Sequence, residues 1–129
     1  MTKELISSFS NRIFIKKLIL PLMKRNNKGQ IIVTSSNLGI KTAPRASIYS
    51  ATKHAVQAIV WCLRDELKGT QVKAETINPE SMDTPWFDGK NVDRTEMLSP
   101  MDIAKVARLI IQQDAKSNID HILILLGKN

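Results

Sequence analysis

The spacing of apolar residues changes several times along the chain, and each change predicts a different element. Residues 4–24 carry a broad apolar face at helical spacing, with Pro21 placed where it should kink or end the last turn. Residues 30–35 are apolar and β-branched on both faces, which is typical of a strand covered on both sides, as in a parallel sheet. The first quarter of the chain therefore predicts a helix followed by a buried strand.

The alternation continues after a polar loop. A long helix is predicted over 48–68, with Gly69 as a natural C-terminal stop. A second strand is predicted over 72–78, and Pro79 should end it because proline has no N–H to donate to a central ladder.

The last third of the chain predicts one more helix and one more strand. Ser99 has the properties of an N-cap, Pro100 suits the first helical position, and Asp102 lies three residues after the cap. The apolar run 122–126 predicts a third strand. Helix and strand thus alternate three times, which predicts an α/β fold: a partial, Rossmann-like parallel sheet of about three strands flanked by helices.

Candidate chemistry lies where the first two predicted strands end, because ligands of such sheets bind beyond the carboxyl ends of the strands. Tyr49 and Lys53 are four residues apart on the long helix, so their side chains share one face. A free tyrosine has a pKa near ~10, and a nearby ammonium group favours the phenolate. Such a pair also occurs by chance on helix surfaces. Ser36 at the strand end, whose hydroxyl can bond a reacting oxygen, favours an acid/base site instead.

These residues also resemble a known family. A strand ending in Ser35-Ser36, followed by Tyr49-x-x-x-Lys53, is similar to the pattern of short-chain dehydrogenases/reductases. Residues 77–85 resemble the family's Asn-Pro-Gly-x-Val-x-Thr stretch, and the similarity spans nearly the whole chain. The resemblance implies that residues 1–129 form a single domain, the C-terminal catalytic half of a Rossmann-type NAD(P)-binding domain.

The resemblance implies an oxidoreductase that interconverts a small-molecule alcohol and a carbonyl by hydride transfer with NAD or NADP. Tyr49 is then the general acid/base, Lys53 lowers the pKa of Tyr49 and holds the nicotinamide ribose, and Ser36 polarises the substrate oxygen. Pro79 is expected to lie against the nicotinamide ring.

Three further residues follow in the same loop. By the resemblance, the backbone of Met82 contacts the nicotinamide amide, and Thr84 adds a polar contact. Trp86 either lines a substrate pocket, as this region does in the family, or simply anchors the loop.

Two departures from the family pattern favour a function other than catalysis. Glu80 stands where the family has a glycine, so its carboxylate is expected to crowd or repel the cofactor. The five glycines are isolated and form no glycine-rich turn for a pyrophosphate. The alternative is a non-catalytic, truncated remnant that only associates with a full-length relative. The first strand would then have an open edge, which predicts poor solubility or pairing with another chain.

The composition of the chain argues against several classes of protein. The net charge is +7, but the basic residues are scattered and aromatic residues make up 5%, so we expect a solvated basic surface and no nucleic-acid partner. No apolar run approaches the roughly 20 residues of a membrane span, and no export signal is visible. The single cysteine, Cys62, fits a reducing cytoplasm. His54 and His121 lack partners at metal-ligand spacing, so no metal site is expected.

The helix predicted over 48–68 is apolar most of the way round. One face should cover the sheet, and the opposite face is too apolar for open water. The family resemblance implies that this helix and helix 4–24 form the interface of a homodimer or tetramer. The alternative is that the chain folds back on itself. Cys62 is expected in the core or in this interface.

Overall fold

A computed structural model of the protein describes residues 15–127. Within that range helices and strands alternate, joined by short turns. They are α1 (Leu20–Asn26, preceded by a π-helical turn at Ile15–Ile19), β1 (Gly29–Thr34), α2 (Ser47–Glu66), β2 (Val72–Pro79), α3 (Pro100–Ile111) and β3 (His121–Ile124), with 3₁₀ turns at Asn37–Gly39 and Pro85–Phe87.

The strands form one parallel sheet in the order β1-β2-β3, which confirms the predicted fold class. Gly29 pairs with Val72 and Thr34 with Ile77, while Pro79 pairs with Ile124. Because parallel strands end at the same edge of the sheet, the segments after β1 and β2 lie beside each other there.

Helices cover both faces of β2. One cluster of buried residues joins α1, α2 and the first two strands: Leu20, Ile31, Val60, Leu63, Leu67, Val72 and Ala74. On the opposite face Ile77 packs with Ile103 and Ile110 of α3. Each fully buried side chain of this size contributes about 1.5–3 kcal/mol. The two clusters therefore fix α2 and α3 on opposite sides of the sheet.

Two features predicted for the first helix need correction: the position of Pro21 in it and its last residue. Pro21 lies in the first turn of α1 rather than the last, and α1 continues to Asn26. A proline is well tolerated in the first turn, where its missing N–H has no helical acceptor. Asn27, with φ of 47°, ends the helix in the left-handed conformation. The remainder of the predicted helix, residues 4–14, lies outside the described range.

Two strand ends also differ from prediction by one to two residues. Pro79 is the last residue of β2 rather than the residue after it, because the β2–β3 ladder there uses the N–H of Glu80, which bonds Ile124 O at 2.8 Å. The side of Pro79 that lacks an N–H faces β1, which has already ended. β3 stops at Ile124 instead of continuing to Leu126, because β2 offers no partner beyond Pro79.

The predicted N-terminus of α3 is confirmed. The N–H of Asp102 bonds the Ser99 hydroxyl at 3.2 Å, and the N–H of Ser99 bonds the Asp102 carboxylate at 2.8 Å. This reciprocal pair is a capping box, with Pro100 at the first helical position.

Candidate active site

A cleft of about 640 Å³ opens at the carboxyl edge of the sheet. The loops after β1 and β2 form two of its walls, and the first turns of α2 form the third. Every site residue predicted from the sequence lines this cleft: Ser36, Tyr49, Lys53, Pro79, Met82, Thr84 and Trp86. The fold thus brings the predicted residues together, and their individual roles remain predictions.

Tyr49 and Lys53 lie on the first two turns of α2. The Lys53 Nζ atom is 5.3 Å from the centroid of the Tyr49 ring, within the range in which an ammonium group interacts with an aromatic ring. Tyr49 is 49% exposed, which leaves the phenol open to the cleft. The two side chains therefore line the same part of the cleft.

Ser36 is buried near the start of the loop after β1, and it caps the 3₁₀ turn that follows. Its hydroxyl accepts a bond from the N–H of Leu38 at 3.2 Å and donates to Asn37 Oδ1 at 3.2 Å. Gly39 lets this turn approach α2, since a Cβ atom there would lie 3.1 Å from the carbonyl oxygen of Lys53. The Ser36 turn is therefore packed directly on the helix that carries Tyr49 and Lys53.

A buried polar cluster below the cleft was missed by the sequence analysis. Gln57 Oε1 accepts bonds from Thr76 Oγ1 at 2.9 Å and from Asn78 Nδ2 at 3.2 Å. All three residues are at most 1% exposed. Gln57 lies one turn after Lys53 on the same helix face, and this spacing was a signal that could have revealed it. The cluster ties the face of α2 that carries Tyr49 and Lys53 to the last residues of β2.

Glu80 does not project freely into the cleft. Its carboxylate accepts a bond from the N–H of Leu126 at 2.8 Å, although the residue still contributes to the lining. Its φ is not positive, so this position does not require glycine for its backbone conformation.

The next residues form an isolated parallel bridge between Met82 and Leu98. In this bridge Ser81 O and Asp83 N bond Leu98, at 3.0 and 2.8 Å. The N–H and C=O of Met82 itself therefore point away from Leu98.

Arg94 fixes the loop that carries Trp86. Its guanidinium bonds the carboxylates of Asp83 and Asp88, the second at 2.7 Å, and Thr84 O at 3.3 Å. The hydrogen bonds that Arg94 donates to Asp88 and Asp83 raise the pKa of Arg94 above its already high value, so its guanidinium stays charged. Trp86 lies on the cleft wall, and its contact with a substrate stays a prediction.

Other candidates from the sequence lie away from the cleft. Cys62 is exposed on α2, so it is not the core residue that was expected; its place in an interface stays a prediction, as does a cytoplasmic location. His54 Nδ1 pairs with Ser50 O at 2.8 Å, and His121 Nδ1 lies 3.1 Å from Asp120 Oδ2. Across residues 15–127, no three His, Cys, Asp or Glu side chains group as metal ligands. No helix in that range has the length and apolar character needed to cross a membrane.

Comparison with known proteins agrees with the fold. The family model for short chain dehydrogenase matches residues 7–95. An uncharacterized oxidoreductase of Staphylococcus saprophyticus is 32% identical over 106 residues, which cover 82% of this chain and 45% of that protein. A Staphylococcus aureus relative, also an uncharacterized oxidoreductase, is 32% identical over 112 residues, covering 87% of this chain and 48% of its own length.

Solved structures show the same architecture. Serine dehydrogenase from Escherichia coli superposes with a TM-score of 0.75 at 24% identity, over 89% of this chain and 48% of that one. ElxO with NADP bound superposes with a TM-score of 0.76 at 20% identity, over 88% and 52% of the two chains. At these identities the likeness shows the fold.

The chain belongs to the short-chain dehydrogenase family, as the match over residues 7–95 shows and as the resemblance of its motifs predicted. It spans about half the length of the curated relatives it matches.

Proposed function

We propose that this chain is the catalytic half, residues 1–129, of an NAD(P)-dependent oxidoreductase that interconverts an alcohol and a carbonyl compound. The observation that carries the proposal is the meeting of Ser36, Tyr49 and Lys53 in one cleft at the carboxyl edge of a parallel sheet, in a member of this family. Its relatives' description as oxidoreductases supports the same reaction class.

The protein's own part in the reaction is proton transfer. In the oxidation direction, Tyr49 Oη as phenolate takes the hydroxyl proton of the substrate, and it returns that proton to solvent afterwards. Lys53, 5.3 Å from the ring, stabilises the phenolate. Ser36 holds the substrate oxygen, for which its hydroxyl must exchange the Asn37 carboxamide for the substrate. A bound NAD⁺ or NADP⁺ supplies the acceptor for the hydride that leaves the carbinol carbon.

The residues present fit the nicotinamide end of such a cofactor. Lys53 would bind the ribose, Pro79 and Thr84 line the same wall, and the free backbone groups of Met82 suit a carboxamide. The Glu80 carboxylate is held by Leu126, which lessens the repulsion expected from the sequence. Structural neighbours described with NADP support a nicotinamide dinucleotide as the cofactor, and they do not distinguish NAD from NADP for this chain. None of the five glycines forms a pyrophosphate-binding turn.

Tyr49 provides a direct test because it is the single tyrosine of the chain. No other phenol of the chain can replace it, so Tyr49→Phe should abolish the turnover of an alcohol with NAD⁺ or NADP⁺. Lys53→Met should lower the same turnover, because it removes the ammonium group beside the Tyr49 ring. Turnover that persists in Tyr49→Phe would contradict the acid/base role.

Cofactor binding is measured separately, by the fluorescence of NADH and NADPH. Reduced nicotinamide mononucleotide, which lacks the adenylate half, serves as the matched probe for the nicotinamide end. Similar affinities for NADH, NADPH and reduced nicotinamide mononucleotide would support a site that binds the nicotinamide end alone. Failure of all three to bind at millimolar concentration would refute an enzymatic role for this chain.

A second candidate function is association without catalysis. β1 has β2 on one side and an unpaired edge on the other within the described sheet. Apolar side chains are also exposed on both candidate interface helices: Leu18, Leu22 and Trp61 are 55%, 52% and 40% exposed. These features support pairing with a relative, or a homodimer or tetramer through helices 4–24 and 48–68. A monomer in analytical ultracentrifugation, combined with failure to co-purify with a full-length relative, would refute this candidate.

A further inference from the structure

The walls of the cleft around Tyr49 are mainly apolar. Leu38 comes from the turn after Ser36, Ile48 precedes Tyr49 on α2, and Trp86 and Phe87 come from the loop after β2. Ile48 and Trp86 are 50% and 62% exposed. Large apolar side chains that remain exposed inside a concave site are typical of a surface that a ligand covers.

The charged groups near the cleft are already engaged. Lys53 and Glu80 are the charged residues of the described lining. Lys53 faces the Tyr49 ring, and Glu80 accepts the bond from Leu126. Arg94, on the same loop as Trp86, is held by Asp83 and Asp88. A carboxylate or phosphate on the substrate would therefore enter this cleft without a dedicated cation beyond Lys53.

Trp86 is held so that its ring can receive a ligand. Phe87 packs against it edge-to-face, with ring centroids 4.8 Å apart. The Nζ atom of Lys90, a residue outside the cleft lining, lies 2.8 Å from the Trp86 ring centroid. Both contacts restrain the indole, while the residue stays 62% exposed and contributes to the cleft lining. An indole restrained in this way loses little side-chain entropy when a flat group stacks on it.

We infer that the substrate is an uncharged carbonyl compound or alcohol whose reacting carbon bears an aromatic ring, and that the ring stacks against Trp86. The inference rests on the proposed function, because it places the carbonyl oxygen at Tyr49 and Ser36. Ile48 and Leu38 then bound the ring on the side opposite the β2 loop. An anionic group on the ring would lie against the apolar side chains of the lining, which costs free energy. The Lys90 ammonium beside Trp86 belongs to a residue outside that lining and is already packed on the indole.

Fluorine NMR of a neutral aryl ketone, para-fluoroacetophenone, tests the inference on the whole chain without cofactor. The comparison probes are para-fluorobenzoate, which is anionic, and fluoroacetone, which lacks the ring. The ketone should bind more tightly than either. Trp86→Ala should weaken its binding roughly three- to tenfold, the range expected for one aromatic contact.

Trp61→Ala is the matched control. Trp61 is also partly exposed, at 40%, but its indole N–H bonds Asp120 and it lies outside the cleft lining. This variant should bind the aryl ketone like the parent chain. Circular dichroism should show unchanged helix content in both variants, since neither tryptophan is buried.

The inference is overturned if the benzoate or fluoroacetone binds as tightly as the aryl ketone. It is also overturned if the ketone does not bind, or if the two tryptophan variants behave alike. Failure of the proposed function looks different: neither cofactor binds and no turnover occurs, while aryl-ketone binding that depends on Trp86 persists. In Tyr49→Phe, the aryl ketone should still bind more weakly when Trp86 is also replaced by Ala.

Discussion

Glu75 offers a test of the core that is independent of any ligand. It lies on β2 facing α3 and is 1% exposed. One carboxylate oxygen accepts a bond from Gln30 Nε2 at 3.2 Å, and the other is buried with no hydrogen-bond partner in the described part of the chain. Burial raises the pKa of Glu75, and the bond from Gln30 and the charges of Lys73 and Arg64 offset part of that rise.

The direction of the pH effect follows from this raised pKa. The folded state holds the Glu75 proton more strongly than the unfolded chain does, so the associated stability is fully present below about pH 4.5. That stability is lost as pH rises through the folded-state pKa. At neutral pH the buried carboxylate is therefore a destabilising group. A buried polar atom without a partner costs about 1–3 kcal/mol, more when it is charged.

The perturbation is Glu75→Gln, which keeps the shape and the acceptor for Gln30 but removes the charge. Its amide nitrogen still lacks a partner, so only part of the cost is recovered. We expect the free energy of unfolding at pH 7 to rise by about 1–2 kcal/mol. Below about pH 4.5, where the parent side chain is protonated in both states, the difference should vanish.

Urea denaturation followed by circular dichroism at several pH values measures this difference. Asp114→Asn is the control, because Asp114 is an exposed acid on the same side of the sheet and its loss should change stability by less than about 0.5 kcal/mol. The reasoning is refuted if Glu75→Gln is no more stable than the parent at pH 7, or if its gain is the same at every pH.

Three further changes test the local packing. Gly39→Ala should force the Ser36 turn away from the Lys53 carbonyl and destabilise the fold by about 1 kcal/mol in urea denaturation; an unchanged free energy of unfolding would contradict the close approach. Gln57→Leu leaves the buried Thr76 hydroxyl without its acceptor and removes one of the two acceptors of Asn78 Nδ2, so it should cost about 1–3 kcal/mol in urea denaturation. An effect below about 0.5 kcal/mol, within the range of surface changes, would show that the cluster is dispensable. Ser99→Ala removes the α3 N-cap and should cost about 1 kcal/mol in the same assay, while Ser117→Ala, in a turn, should cost less.

Much of the fold could be predicted because local chemistry determines it. The capping box of Ser99 and Asp102 depends on residues three apart, and α3 begins where that pattern places it. The β-branched run of β1 and the helical face of Tyr49 and Lys53 are likewise local features. The alternation of such elements allows few arrangements other than a parallel sheet, which places Ser36 beside Pro79.

What the sequence did not reveal depends on contacts between distant residues. The Glu80 carboxylate bonds Leu126, a partner 46 residues away, so a repulsion inferred from residue type alone overlooked its orientation. Gln57 would look like a surface residue on an apolar helix until Thr76 and Asn78 are placed beneath it. The end of β3 similarly depends on where β2 ends, which no pattern in residues 122–126 encodes.

The contacts that hold the proposed site are made between described residues of this chain. The arrangement of the site can therefore be tested independently of the affinity for the cofactor. Gly39 sets the distance between the Ser36 turn and Lys53, and Gln57 ties the same helix to Asn78. None of these contacts involves a phosphate-binding turn, so the geometry of Tyr49, Lys53 and Ser36 does not depend on one. Binding of a whole dinucleotide does depend on a phosphate-binding turn, because the pyrophosphate carries the charge that such a turn neutralises. A chain with this site should therefore hold Tyr49, Lys53 and Ser36 in the same arrangement even where its dinucleotide affinity is low.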